Sequence, residues 1–152
     1  MTPISRLETI YNQIVSQEID AGRKKGSVNL IAVSKTKPMD QIKPVIEEGH
    51  AHFGENKVQE AISKWSEIKK NNENLKLHMV GKLQSNKAKD AVKLFDYIHS
   101  LDNQKLADAL AKHQMSLKKN LKYFIQVNIG NEMQKSGTDS YTHLTLPTIC
   151  SV

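Results

Sequence analysis

Val28-Asn29-Leu30-Ile31-Ala32-Val33-Ser34-Lys35-Thr36-Lys37-Pro38 is the stretch on which the fold turns. An apolar run of this length, rich in Val and Ile, predicts a buried strand whose last residue is delivered to one rim of a sheet or barrel. Lys35 stands at that rim. An amine held against apolar walls is pushed toward its neutral form and can attack a carbonyl, whereas a solvated lysine stays protonated at neutral pH. Lys35 is therefore a candidate anchor for an aldehyde. The plainer alternative is a lysine that ends a strand and reaches into water.

Outward from this strand, helices and strands alternate. Upstream, Ile4, Leu7, Ile10, Tyr11, Ile14, Val15 and Ile19 recur at three- and four-residue spacing and predict an amphipathic helix ending near Gly22 or Gly26. Downstream, a helix over residues 40–48 presents Ile42, Val45 and Ile46, with Pro38 and Pro44 making its start irregular and Gly49 stopping it. A strand over 50–54 leads into a helix over about 56–70 carrying Val58, Ala61, Ile62, Trp65 and Ile68. Residues 75–81 predict a third strand, and Ser85 a cap for a helix with Ala88, Ala91 and Val92 inward. Residues 96–101 predict a fourth strand. Asn103 starts a helix with Leu106, Ala107, Leu110 and Met115, and residues 123–130 predict a fifth strand.

This order argues for parallel βα units. The fold class expected is α/β, a (β/α) TIM-type barrel, incomplete at about five of eight units, since a whole barrel needs about 250 residues. Lys35, Glu55-Asn56, Gly81-Lys82 and Asn128 fall just beyond strand ends and would converge on one rim. The absence of a dinucleotide-type Gly-rich turn after the first strand weakens the open doubly wound alternative.

Composition narrows the function. The 152 residues fit one domain, and the sequence has neither an apolar stretch long enough for a bilayer nor a secretory signal, so a cytoplasmic protein is expected. One cysteine, Cys150, supports neither a disulfide framework nor a zinc cluster, and no metal site is expected. The net charge of +6 invites a basic nucleic-acid-binding α/β module as an alternative. Its basic residues, however, are scattered near helix ends, as Arg23-Lys24-Lys25, Lys69-Lys70 and Lys118-Lys119, without interleaved aromatics to stack on bases.

Ala32-Val33-Ser34-Lys35-Thr36-Lys37-Pro38, then Phe53-Gly54-Glu55-Asn56 with Val58-Gln59-Glu60, then His78-Met79-Val80-Gly81-Lys82-Leu83-Gln84-Ser85-Asn86-Lys87, and Gln126-Val127-Asn128-Ile129 leading to Lys135-Ser136-Gly137, together resemble the pyridoxal phosphate (PLP) homeostasis protein family, relatives of the alanine racemase N-terminal barrel domain. The resemblance implies a cytoplasmic PLP-binding protein that holds pyridoxal 5'-phosphate as an imine on Lys35. It implies cofactor homeostasis rather than catalytic turnover, handover to PLP-dependent apoenzymes, no nucleic-acid or membrane partner, and a monomer when full length. Asn56, Ser85, Asn86 and Lys135 are the further cofactor-binding candidates it brings. Asn56 would bond the ring hydroxyl or orient the lysine, or else cap a helix. Ser85-Asn86-Lys87 has anion-binding character, and Lys135 would contact aldehyde or phosphate. Glu55 would partner a lysine or favour a helix start.

The alternative within PLP chemistry is a fragment of an amino-acid racemase or decarboxylase. Racemisation requires a base on each face of the ring plane and a carboxylate clamp. His52, His78 and His99 are the available bases, and strand histidines read more simply as satisfied structural groups. No catalytic residue is assigned.

The resemblance runs to about Gly137. Beyond it, Ser140 to Thr148 reads like the translation of a sequencing-library adapter, so residues 1–137 are expected to be the barrel part and 138–152 a non-native tail. Barrel phosphate sites commonly follow the seventh and eighth strands. The chain as written is therefore expected to bind PLP poorly.

Overall fold

Five parallel strands lie in one sheet in the order of the chain, β1 (Ala32–Val33), β2 (His52–Glu55), β3 (Lys76–Met79), β4 (Tyr97–Leu101) and β5 (Lys122–Ile125). Between and before them run α1 (Pro3–Asp20), α2 (Met39–Glu47), α3 (Val58–Lys70), a 3-10 turn (Ser85–Lys87) continuing into α4 (Ala88–Leu94), and α5 (Gln104–Leu117). The computed structural model describes residues 2–130, 132–133 and 135–138. Of the expected tail, residues 138–152, only Thr138 is among them, and the rest lies outside the described residues.

The strand order decides the fold class. A doubly wound sheet reverses direction at a switch point, whereas a barrel adds each strand on the same side of the last. Here the order never reverses, so the five strands form an arc of a (β/α) barrel. The convex face carries the core: Phe53, Leu77, Met79 and Ile98 pack with Trp65 of α3, Val92 of α4 and Leu106 and Leu110 of α5, as strand and helix periodicity predict. Trp65 is fully buried, 4.9 Å from the Phe53 ring. The concave face carries Gly54, where an added Cβ would meet the side chains of Ile31, Val33 and Val80 at 3.2–3.4 Å.

Several local expectations are corrected. β1 is two residues long, not six, and Val33 is 52% exposed rather than buried. Two causes are visible. The carboxylate of Glu18 takes the N–H groups of Gly26 and Val28 at 2.7 Å and the Ser27 hydroxyl at 3.2 Å, which holds the start of the run in a loop. These donors, the backbone ones first, keep the Glu18 carboxyl below the usual range. β1 is also a sheet edge, and no strand among the described residues covers its outer side.

The apolar stripe of α1 stays largely uncovered: Glu18 is its one buried residue, and Ile10, Tyr11 and Ile19 are exposed. Met115 is exposed as well. β5 ends at Ile125 rather than near residue 130, and Val127 makes an isolated bridge to Thr138. Ser85 does not cap a helix. It opens the 3-10 turn, whose flanking Gln84 makes no side-chain cap bond. Among the described residues no helix is long and apolar enough to cross a membrane.

Candidate functional site

The carboxyl ends of β1 and β2 are built as one unit. Val33 pairs with Gly54, so Lys35 and Asn56 each stand two residues beyond a paired position on neighbouring strands. Ser34 extends the ladder through its N–H to the Gly54 carbonyl at 2.9 Å, and Lys37 N–H closes back onto the Ser34 carbonyl at 3.1 Å. Lys35 lies in the turn between them and is exposed. The partly dried amine expected from the sequence is not found here, because the edge position of β1 leaves this turn open to water. Thr36 adopts φ 61°. For a β-branched residue that left-handed conformation costs on the order of 1–3 kcal/mol and needs external support.

That support is a buried charge network. Glu55 is fully buried, and its Oε1 accepts from the Ser34 hydroxyl at 2.7 Å, the Trp65 indole N–H at 2.9 Å and the Lys64 ammonium at 2.9 Å. Lys64 donates also to the Ser34 carbonyl at 2.9 Å and to Glu60 Oε1 at 3.4 Å. Glu60 Oε1 in turn accepts the Thr36 N–H at 2.9 Å. That backbone bond, with the Lys64 contacts behind it, holds the Glu60 carboxyl below its ordinary range. Glu55 thus partners a lysine, as one reading of the sequence had it. The sequence expectation names neither Lys64 as that partner nor a role for Glu60, although Glu60 and Lys64 form an i,i+4 pair of the favourable orientation.

Asn56 does not cap α3. Lys57 occupies that position without a side-chain bond, and the Asn56 Oδ1 is buried without a hydrogen-bond partner. Gly81 explains its placement, since a Cβ there would sit 2.3 Å from the Asn56 carbonyl oxygen. Only glycine lets the β2 and β3 ends approach so closely. A cavity of about 320 Å³ opens beside them, with Asn56, Lys57, Lys82 and Lys87 in its wall. Gln84 and Lys87 line it, but neither Ser85 nor Asn86 does. Lys135 stands past the end of β5, the opposite sheet edge, paired with Glu132 at 2.7 Å. The structure therefore sets Lys35 and Asn56 beyond the ends of adjacent strands, leaves Ser85 and Asn86 out of the cavity wall, and leaves Lys135 apart.

The three strand histidines form a row on the concave face. His52 Nδ1 meets His78 Nε2 at 2.9 Å, and His78 Nδ1 meets His99 Nε2 at 2.8 Å. A neutral imidazole has one donor and one acceptor nitrogen, so both links run in the same sense. Tyr97 stacks on His78 at 4.2 Å and Phe124 on His99 at 4.6 Å. Burial first, then the neighbouring imidazoles, pushes the His78 pKa down to about 3, with Asp96 opposing; burial lowers His99 too. Behind the row, the His50 Nε2–H donates to the His52 carbonyl at 2.7 Å, leaving Nδ1 to accept the Tyr11 hydroxyl at 2.6 Å. Desolvation also lowers His50.

A pH dependence follows. Between the ordinary imidazole value near 6.5 and about 3, the unfolded chain binds a proton at His78 that the folded chain refuses. This contribution to stability is fully present above pH 6.5 and is lost progressively as the pH falls, with His50 and His99 acting in the same direction. The urea midpoint is expected to drop steadily from pH 7 to 5, above the carboxylate range, and His78→Gln to make that slope shallower. An unchanged midpoint across this interval would contradict the neutral row.

Comparison with known proteins places this geometry in context. The profile of the alanine racemase N-terminal domain matches residues 16–146. The pyridoxal phosphate homeostasis protein of Pasteurella multocida (strain Pm70) is 40% identical over 137 residues, covering 90% of this chain and 59% of that protein. Its namesake in Escherichia coli (strain K12) is 35% identical over 132 residues, covering 86% and 56%. The chain thus spans about three fifths of the length of the curated relatives it matches. The solved structure of PipY from Synechococcus elongatus PCC7942 with PLP bound superposes with a TM-score of 0.67 at 38% identity, over 86% of this chain and 58% of that one. Alanine racemase of Clostridium difficile 630 shares the fold, with a TM-score of 0.59 at 15% identity over 76% of this chain and 30% of that one.

Proposed function

The chain belongs to the alanine racemase N-terminal domain family, and from that premise we propose that it is the strand-β1-to-β5 part of a PLP-binding protein of cofactor homeostasis. Lys35 is the residue that holds the aldehyde, as a reversible imine. The observation that carries this reading is the single winding of the sheet, which sets Lys35 and Asn56 at the carboxyl ends of adjacent parallel strands. The PLP-bound relative supports it.

The residues present fit such a ligand. Lys35 supplies an amine, the unpartnered Asn56 Oδ1 an acceptor for a ring hydroxyl, and Lys57, Lys82 and Lys87 a cationic wall beside it. PLP, when bound, supplies an electrophilic carbonyl and an electron-poor ring. The protein's own part is to hold the amine at an open turn, accessible to an incoming amine if the cofactor is to be handed to apoenzymes. A carrier without turnover fits the histidines: both His78 nitrogens are committed to His52 and His99, and its depressed pKa removes it as a base near neutrality.

The test is direct. The intact protein is mixed with PLP, the imine absorbance recorded, the adduct reduced with borohydride and the labelled peptide located by mass. One label on the peptide containing Lys35 is expected. Label on another lysine, or none, removes the assignment.

A further inference from the structure

We infer that Glu60, braced by Lys64, is a positioning residue that fixes the direction of the Lys35 amine by holding Thr36 in its left-handed conformation. The inference rests on the reading of Lys35 as the PLP-bearing lysine and adds residues that act on it from a helix. Lys35 is clasped on both sides of its own backbone. Before it, the Ser34 carbonyl accepts from Lys64 at 2.9 Å and the Ser34 hydroxyl donates to Glu55 at 2.7 Å. After it, the Thr36 N–H donates to Glu60 at 2.9 Å.

All three partners come from β2 and α3, not from the β1–α2 loop that carries the lysine. A threonine at φ 61° is strained when left alone, and the backbone bond across this exposed turn, from Lys37 N–H to the Ser34 carbonyl, leaves the Thr36 N–H to Glu60. The Glu60 carboxylate therefore keeps the turn in place, while Lys64 couples it to the buried Glu55. A network serving only the core would need the bonds to Trp65 and Ser34. It would not need one to the far side of the Lys35 turn.

The device predicts a specific rescue. Glu60→Ala removes the acceptor for the Thr36 N–H, and the turn relaxes toward right-handed or extended backbone. Adding Thr36→Gly restores the turn without the carboxylate, because glycine adopts positive φ at no steric cost. Two readouts are taken on the intact protein: the dimethyl-Lys35 resonance after reductive ¹³C-methylation, without PLP, and the association constant for PLP from imine absorbance on unmethylated protein. Thermal unfolding is recorded beside them.

For Glu60→Ala, the Lys35 resonance is expected to shift from its wild-type position as the turn changes conformation and the PLP association constant to fall about tenfold, with both restored in the Glu60→Ala, Thr36→Gly double variant. A single variant that keeps the wild-type resonance and affinity, or a double variant that recovers neither, overturns the inference. A wild type that shifts its Lys35 resonance on Glu60→Ala yet forms no imine at Lys35 supports the positioning role and overturns the cofactor reading.

Discussion

Lys35→Arg is expected to abolish the borohydride-fixed PLP label and lower imine absorbance at least 100-fold, while leaving the urea midpoint nearly unchanged. A guanidinium remains protonated throughout the accessible pH range and has no free amine to condense with an aldehyde. It nonetheless keeps the positive charge and the length of the side chain. Since Lys35 is exposed in an open turn, the replacement disturbs no packing, and a change within about 0.5 kcal/mol in stability is expected. An arginine variant that still takes up label at full stoichiometry would show that the aldehyde is carried elsewhere.

The largest stability effect belongs to Glu55. Glu55→Ala leaves Lys64, whose side chain is 11% exposed, without its nearest counter-charge and strips the acceptor from the Trp65 indole and the Ser34 hydroxyl. Removing one partner of a buried pair costs up to about 3–5 kcal/mol, and here Lys64 keeps only the longer contact to Glu60 at 3.4 Å and its bond to the Ser34 carbonyl. Urea denaturation measures it. The control is the pair Glu55→Leu with Lys64→Met, which removes both charges at similar volume and is expected to recover most of the loss. A cost for Glu55→Ala under about 1 kcal/mol would mean that the network carries little of the fold.

Much of this architecture was legible in the sequence, and the pattern of what was not has physical causes. Leu77 and Met79, or Ala91 and Val92, announce themselves because periodic burial against a partner element is the dominant signal in a chain. The strand order, and with it the place of Lys35 and Asn56 beyond the ends of adjacent strands, followed from counting βα units. The length of β1 did not, because it depends on a carboxylate ten residues upstream, Glu18, competing for the Val28 N–H. Val33 and the face of α1 read as buried from apolarity alone, which does not reveal whether a neighbour exists to cover them.

The candidate site divides in the same way. Lys35 was visible from its place after an apolar run. Asn56 read equally as cap or ligand, and only the packing of Gly81 against its backbone shows why it is not a cap. Glu60 and Lys64 look like an ordinary surface pair four residues apart, and their hold on the Ser34 to Thr36 turn depends on a contact across 24 and 30 residues. Ser85 has the residue type of a cap but sits in a 3-10 turn, where side-chain and backbone geometry differ.

Because each ring in the His52, His78 and His99 row must hand its proton on in the direction its neighbour does, the row has only two orderings, mirror images in their polarity. It is a single binary element laid across three strands. Whatever fixes the proton at the Phe124 end also decides which nitrogen of His52 is left bare at the other, about 10 Å away by strand spacing, with no backbone movement at all.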